Sequence, residues 1–256
     1  MSILNELVSS SVRRVAEART RISEQDLQAQ IDRAEPPRGF RRSLESRDVA
    51  LIAEIKRATP FKGMLNGDLD AGTTAATFAA GGAAAISVLT EPSRFAGSLD
   101  DLAAARAAGL PLLRKDFVVD DYQVMESRAA GSDAVLLIVR ILGDELADLI
   151  KAIEALDMDA LVEVHDESEL QRAVDAGART IGINHRDLET GEVDPNRTAA
   201  LAPLVPDEVL LIGLSGVSTR SDVEALIAAG ARAVLVGEAL VTARNPESKL
   251  RELLGV

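Results

Sequence analysis

Eight short apolar runs rich in Val, Ile and Leu recur along the chain at intervals of roughly 20 to 34 residues. They are 50–55, 84–89, 111–113, 134–139, 160–164, 180–183, 209–212 and 233–236. Continuous apolarity, in place of strict alternation, is the pattern of parallel strands buried on both faces. Between the runs lie helix-like stretches, and four junctions share one design: Ala80-Gly81-Gly82, Ala130-Gly131, Ala176-Gly177 and Ala229-Gly230 each precede a strand by a few residues. There a helix stops at Ala and a Gly takes the left-handed conformation that lets the chain turn back. Eight such βα units without an intervening linker predict an α/β chain folded as a single (β/α)8, or TIM, barrel over 50–256. A doubly wound open sheet competes, but it would carry a Gly-rich turn after its first strand, and Ala53-Glu54-Ile55-Lys56-Arg57-Ala58 is nothing like one. Residues 1–49 precede the first strand. Leu4, Leu7, Val8, Val12 and Val15 recur close to helical spacing, and Pro36-Pro37 then breaks the chain. This predicts an N-terminal helical extension packed on the barrel, one domain overall.

Charge and composition narrow the partners. The net charge is −13, which argues against nucleic acid, since a phosphate-backbone binder needs a surplus of Lys and Arg. No apolar run approaches the ~18 residues that span a bilayer, and the N-terminus lacks the basic and apolar segments of a signal peptide. With no cysteine there is no thiolate metal site and no Cys nucleophile. The expectation is a cytoplasmic protein, a monomer in preference to an oligomer, acting on a small anionic molecule. Of the 28 basic residues only Lys56, Lys62, Lys115, Lys151 and Lys249 are lysines. Lysine supplies a compact ammonium with a shiftable pKa, so its placement is informative where arginine is otherwise preferred.

In barrel enzymes the chemistry lies at the C-terminal strand ends. Strand 1 ends in Glu54 and Lys56, strand 3 in Arg114, Lys115 and Asp116, strand 5 in Glu163 and His165, and strand 6 in Asn184 and Arg186. Residues i and i+2 of a strand share a face, so each pair can point to the mouth together, whereas only one side of the Arg114–Asp116 triplet can. A structural ion pair is the competing reading of Glu54 and Lys56. Glu163, between apolar neighbours in Leu161-Val162-Glu163-Val164-His165, is costly to bury unless it has partners. A lysine and a carboxylate in a partly dry mouth form a usable acid–base pair. After strands 7 and 8 come Gly213-Leu214-Ser215-Gly216 and Gly237-Glu238, small residues that let backbone N–H groups approach a phosphate. Phe61, Phe95 and Phe117 all fall just beyond strand ends, where a flat apolar ligand would want them. Metal catalysis is disfavoured, because His165 and His185 follow different strands without a carboxylate cluster of ligand type; His185 reads as a loop side chain. No cofactor is expected.

At these residues the chain resembles the indole-3-glycerol phosphate synthase family. The resemblance rests on Ala53–Gly63, Ser87–Glu91, Phe95–Leu99, Leu113–Phe117, Leu161–His165 and Ile183–Leu188, in order and spacing. It implies a carboxy-lyase that closes the indole ring, turning 1-(2-carboxyphenylamino)-1-deoxyribulose 5-phosphate into indole-3-glycerol phosphate, CO2 and water. It further implies Lys115 as general acid on the ribulose carbonyl, Glu163 as partner acid/base during dehydration, and Glu54 orienting the lysines. Lys56 would hold the substrate carboxylate or serve as a second acid. Asn184 and Arg186 would contact hydroxyls and carboxylate. Phe95, Phe117, Leu136, Ile138 and Leu188 map to the ring pocket. Thr59, Ser215, Gly216, Gly237 and Glu238 map to the phosphate site. Two positions depart from the family pattern: Leu214 replaces a Glu, and Phe61 a small polar residue. Loss of one such electrostatic stabiliser costs on the order of 10²-fold in rate. The alternative expectation is therefore a phosphate-binding barrel with lost or altered turnover, serving as a binding scaffold or acting on a related sugar phosphate. Phosphoribosylanthranilate isomerase, a barrel that typically relies on a Cys, is disfavoured by the absence of cysteine.

Overall fold

The computed structural model describes residues 2–256. Eight parallel strands close into a barrel: β1 (Ala50–Ile55), β2 (Ala85–Leu89), β3 (Leu112–Lys115), β4 (Ala134–Ile138), β5 (Asp159–Val164), β6 (Thr180–Asn184), β7 (Leu210–Leu214) and β8 (Ala233–Val236). Each pairs with its sequence neighbours, and β8 closes on β1 with Ala50 opposite Ala233. All eight expected strands are present. The boundaries move by one or two residues: β3 runs on to Lys115, β7 runs on to Leu214, and Val139 opens a short helix instead of ending β4. The four Ala-Gly junctions behave as expected, with Gly82, Gly131, Gly177 and Gly230 all at positive φ.

Alternation along each strand divides the core in two. Leu51, Ala53, Ile86, Val88, Val135, Leu137, Val162, Ile181 and Val234 face outward into the layer beneath the surrounding helices. Ile52, Leu113, Leu136, Leu161, Ile212 and Leu235 face inward and fill the barrel axis. Because successive side chains point to opposite faces, the inward set continues at the mouth with Glu54, Lys115, Glu163 and Asn184.

The N-terminal segment touches both ends of this cylinder. Its first helix, α1 (Ile3–Arg21), lies by the mouth: Leu4 and Leu7 are buried in the inward cluster, and Ser11 Oγ donates to the Phe117 carbonyl at 2.5 Å. Arg14 grips Asp116, just past β3, through two hydrogen bonds of 2.7 and 3.1 Å. Val12, expected on the buried face, is 55% exposed, because the stripe that docks runs through Leu4, Leu7, Ser11 and Val15. The second helix, α2 (Glu24–Ile31), descends along the barrel flank, where Leu27 packs with Val15 and Tyr122. After Pro36-Pro37 the third, α3 (Phe40–Glu45), seals the bottom. Phe40 is fully buried in the same inward cluster as Ala50, Ala84, Ala85, Ala134 and Ala233, small residues that leave room for its ring. The backbone N–H groups of Arg38 and Arg41 donate to the carboxylates of Asp133 and Asp159 at 2.7 and 2.9 Å.

Candidate active site

A cavity of about 430 Å3 opens at the C-terminal strand ends. Its wall is contributed by β1, β2, β3, β6, β7, β8, the segments that follow them, and α1. On one side, Lys56 Nζ donates to Glu54 Oε1 at 2.6 Å; Glu54 is 2% exposed and Lys56 reaches into the cavity. On the other, Lys115 Nζ stands 3.8 Å from Glu163 Oε2. Glu163 is fully buried beneath the floor, where Asn184 Nδ2 donates to its Oε1 at 2.9 Å. Its Oε2, facing Lys115, has no hydrogen-bond partner. The triplet at the end of β3 divides as alternation requires. Lys115 enters the cavity, while Arg114 is turned outward and fully buried, bridging Asp116 (3.0 Å), Glu126 (2.9 Å) and the Gln123 carbonyl (3.0 Å). Two guanidinium groups and the Thr90 hydroxyl hold the Asp116 carboxyl far below the ordinary carboxylate range, against the opposing effect of burial.

The rim is cationic although the chain is acidic. Lys56, Lys62, Lys115 and Arg186 all line the cavity, against Glu54 and Glu238. Lys62 and Glu238 pair across the rim, joining the loop after β1 to the one after β8. That β1 loop is a small hairpin pairing Ala58–Thr59 with Gly63–Met64, and it sets Thr59, Phe61 and Lys62 over the mouth. Phe61 packs on Gly191, and the Arg186 guanidinium sits 5.9 Å from its ring centre. Beyond β7, Ser215 and Gly216 are both left-handed, at φ 68° and 78°, so the chain turns sharply around one edge of the cavity. At the neighbouring edge, a Cβ on Gly237 would overlap Glu54 Oε1 and stand 3.0 Å from Lys56 Nζ; only glycine fits between the ion pair and the loop. These two loops supply a small-residue edge beside the lysines, as a phosphate would require.

Apolar surface completes the wall. Phe95 and Phe117 lie with ring centres 6.3 Å apart, joined by Leu188 and Leu214. Leu214 is 1% exposed and leans over Gly182 of β6, where a Cβ would meet its Cδ1 at 2.6 Å. Of the expected ring-pocket residues, Leu136 and Ile138 face inward in the same interior cluster as Phe117 and Leu214 but, like Glu163, are not among the residues that line the cavity. Ile3, Leu4 and Leu7 of α1 take that part of the wall. The apolar spacing of α1 marked it as a helix but said nothing of where it docks. His185 is buried, with Nε2 2.7 Å from Thr198 Oγ1, and burial lowers its pKa. It ties the β6 loop to the helix Arg197–Leu201 and does not line the cavity. Among the described residues, no group of three or more His, Asp or Glu side chains is arranged to hold a metal ion.

Comparison with known proteins bears on this geometry. A family model described as indole-3-glycerol phosphate synthase matches residues 4–253. Proteins carrying that name in a Nocardioides species and in Desulfosudis oleivorans are each 47% identical to the chain, with 100% of this chain and 99% of the relative covered in the first case and 98% of both in the second. Among solved structures, thiamine phosphate pyrophosphorylase from Pyrococcus furiosus superposes with a TM-score of 0.59 at 15% identity, over 81% of this chain and 94% of that one. A mandelate oxidase gives 0.61 at 19% identity, over 81% and 71%. At such identities the likeness concerns the barrel alone.

Proposed function

The chain belongs to the indole-3-glycerol phosphate synthase family, and from that premise we propose how its residues divide the work of closing an indole ring. The enzyme is a carboxy-lyase of tryptophan biosynthesis. It converts 1-(2-carboxyphenylamino)-1-deoxyribulose 5-phosphate to indole-3-glycerol phosphate, CO2 and water. The comparisons give no support to a scaffold without turnover or to a different sugar phosphate.

The chemistry of that conversion sets the tasks. The ring carbon bearing the carboxylate attacks the ribulose carbonyl carbon, and the carbonyl oxygen must be protonated as the bond forms. Loss of CO2 restores the aromatic ring, and the new hydroxyl then leaves as water while a neighbouring proton is removed. Lys115 is the acid for the carbonyl oxygen, since its ammonium lines the cavity free of a close hydrogen bond, 3.8 Å from the Glu163 carboxylate, and it regains its proton from solvent. Glu163 is the partner acid/base for dehydration, working through Oε2. Lys56, held by Glu54, binds the departing carboxylate or supplies a second proton. Asn184 orients Glu163, and Arg186 contacts the hydroxyls and carboxylate of the substrate. The aryl ring lies among Phe95, Phe117, Leu188 and the α1 leucines. The phosphate lies against Thr59, Ser215, Gly216, Gly237 and the backbone of Glu238.

The observation that carries these assignments is the approach of Lys115, which lines a cation-rimmed cavity, to the unpartnered oxygen of Glu163 buried beneath its floor. Within the described residues no helix is long and apolar enough to cross a membrane. We place the enzyme in the cytoplasm, where a phosphorylated biosynthetic intermediate is found. The test is steady-state turnover followed by indole fluorescence, with wild type, Lys115→Ala and Glu163→Gln compared. Both variants should lose most of kcat while still binding substrate. Turnover near wild type in either would remove that residue from its role.

A further inference from the structure

His165 follows β5 directly and is 5% exposed. Its ring lies between two carboxylates. On one side, Glu169 Oε2 accepts the His165 backbone N–H at 2.8 Å and lies 3.1 Å from Nδ1. Glu169 belongs to the next helix, Glu167–Asp175, and its Oε1 accepts from Arg140 Nε at 2.8 Å. Burial works against its charge, yet the contacts with His165 and Arg140 hold its pKa down to about 2, so it is ionised and Nδ1 must carry the donated proton. On the other side, Nε2 has no hydrogen-bond partner and stands 3.6 Å from Glu163 Oε1. With Nδ1 protonated, a neutral ring would present a lone pair to a buried carboxylate, two electron-rich atoms 3.6 Å apart. One proton on Nε2 or on Glu163 removes that conflict.

We propose that His165 is a positioning residue that shares one proton with Glu163, so that the carboxylate facing Lys115 keeps a fixed protonation state between turnovers. The assignment rests on Glu163 being the acid/base of the proposed mechanism. Glu163 Oε1 meets Asn184 and His165, leaving Oε2 to Lys115 and substrate. When Oε2 takes a proton from the substrate during dehydration, the positive charge of the imidazolium is balanced by Glu169. When the proton leaves with the departing hydroxyl as water, the pair returns to its one-proton state. The proton that Lys115 gives to the carbonyl oxygen is replaced from solvent, because loss of CO2 from a carboxylate consumes one proton in each turnover. The groups facing this pair are Lys115 from β3, Asn184 from β6 and Glu169 from its helix. Arg140, on the short helix Val139–Leu142, lies behind Glu169, and Asp187 lies 3.6 Å from Arg140. This chain joins the site to the loop that carries Leu188.

The chain contains two histidines, which makes the test direct. Protein labelled with ¹⁵N-histidine gives two sets of imidazole signals, and the set absent from His165→Asn is that of His165. In wild type, His165 should hold a proton on Nδ1 throughout; its Nε2 signal should move in Glu163→Gln and its Nδ1 signal in Glu169→Gln, each of which removes a facing carboxylate. His165→Asn should lower kcat about tenfold at unchanged KM and displace one ionisation of the kcat–pH profile by at least about one unit. An unchanged His165 Nε2 signal in Glu163→Gln, or a His165→Asn pH profile that superposes on wild type, would overturn the shared proton. If Glu163→Gln instead turns over normally, it is the acid/base role of Glu163 that fails, and the Nε2 signal still reports whether the two side chains share a proton.

Discussion

Adding one methyl group at Gly237 tests the site geometry more sharply than removing any of its charges. In Gly237→Ala the new Cβ would lie 3.0 Å from Lys56 Nζ and closer still to Glu54 Oε1, where ordinary contact begins at 3.4 Å. The carboxylate must retreat by about an ångström, and it has little room, since Glu54 is 2% exposed. Its hydrogen bond to Lys56, now 2.6 Å, stretches or breaks. Separating a buried carboxylate from its ammonium costs about 3–5 kcal/mol when no partner replaces it, and part of this returns here because Lys56 can swing toward solvent. A loss of about 1–3 kcal/mol in unfolding free energy is expected. The effect on catalysis should be larger: displacement of a positioning group by ~1 Å costs about 10²-fold in rate. Since Gly237 also borders the phosphate edge, KM should rise as well. The assay is turnover by indole fluorescence beside urea unfolding of the same preparation. A variant that folds normally with kcat and KM within about twofold of wild type would show that Glu54 and Lys56 do not act as a spaced pair, and the assignment of Lys56 would go with it.

Lys115→Ala should lower kcat far more than it changes substrate affinity, measured by turnover and by equilibrium titration with a non-reacting product analogue; near-normal kcat would end its role as acid. Leu214→Glu restores a carboxylate to a wall where the leucine now packs over Gly182, so it should destabilise the fold by about 2–4 kcal/mol while raising kcat, by up to about 10²-fold. A fall or no change in kcat would mean that the site is built around the leucine. Acid should unfold the protein through its depressed carboxyls. The pKa values of Glu169 and Asp116 are lowered in the fold, so the stability they contribute is present above the unfolded value near 4 and is lost as pH falls toward the folded value, about 2 for Glu169. Urea unfolding free energies at about pH 6, 4 and 3 should decline, and Glu169→Gln should reduce the slope; an unaltered slope would detach Glu169 from acid stability.

What could be read before any coordinates is what alternation and local spacing control. Period two puts Lys115 on the face opposite Arg114 and Asp116, without saying which face is inward, and it pairs Glu54 with Lys56 and Asn184 with Arg186 on the mouth side. It does not give depth. Leu136 and Ile138 share a face with the site residues yet lie in the filled interior, since the level at which packing ends depends on the side chains of the other strands. Contacts made across many residues of chain were likewise hidden. Leu4 and Leu7 meet Phe117 more than 100 residues later, and the Arg140–Glu169 bond joins the end of one βα unit to the helix of the next. The i, i+2 relation of Glu163 and His165 was visible; the carboxylate that fixes the tautomer from four residues further on, across a strand-to-helix turn, was not.

The N-terminal segment explains why a barrel this rich in alanine and poor in aromatics can present a dry, shaped mouth. The chain has five Phe, one Tyr and no Trp, and two of the phenylalanines are spent below the site, Phe40 at the barrel bottom and Phe78 beneath the helices. Three remain for the cavity, too few to wall a pocket for an aryl ring on their own. α1 supplies the missing surface with Ile3, Leu4 and Leu7, and it is held there by charge, through Arg14 on Asp116 and Glu6 on Arg94. Asp116 directly follows Lys115 in sequence, and its Oδ2 binds Arg114, which directly precedes Lys115. The same carboxylate therefore fixes both the helix that walls the cavity and the strand end that carries Lys115. Loosening Arg14 would disturb ring binding and lysine placement together, which makes the extension part of the site and not an appendage to it.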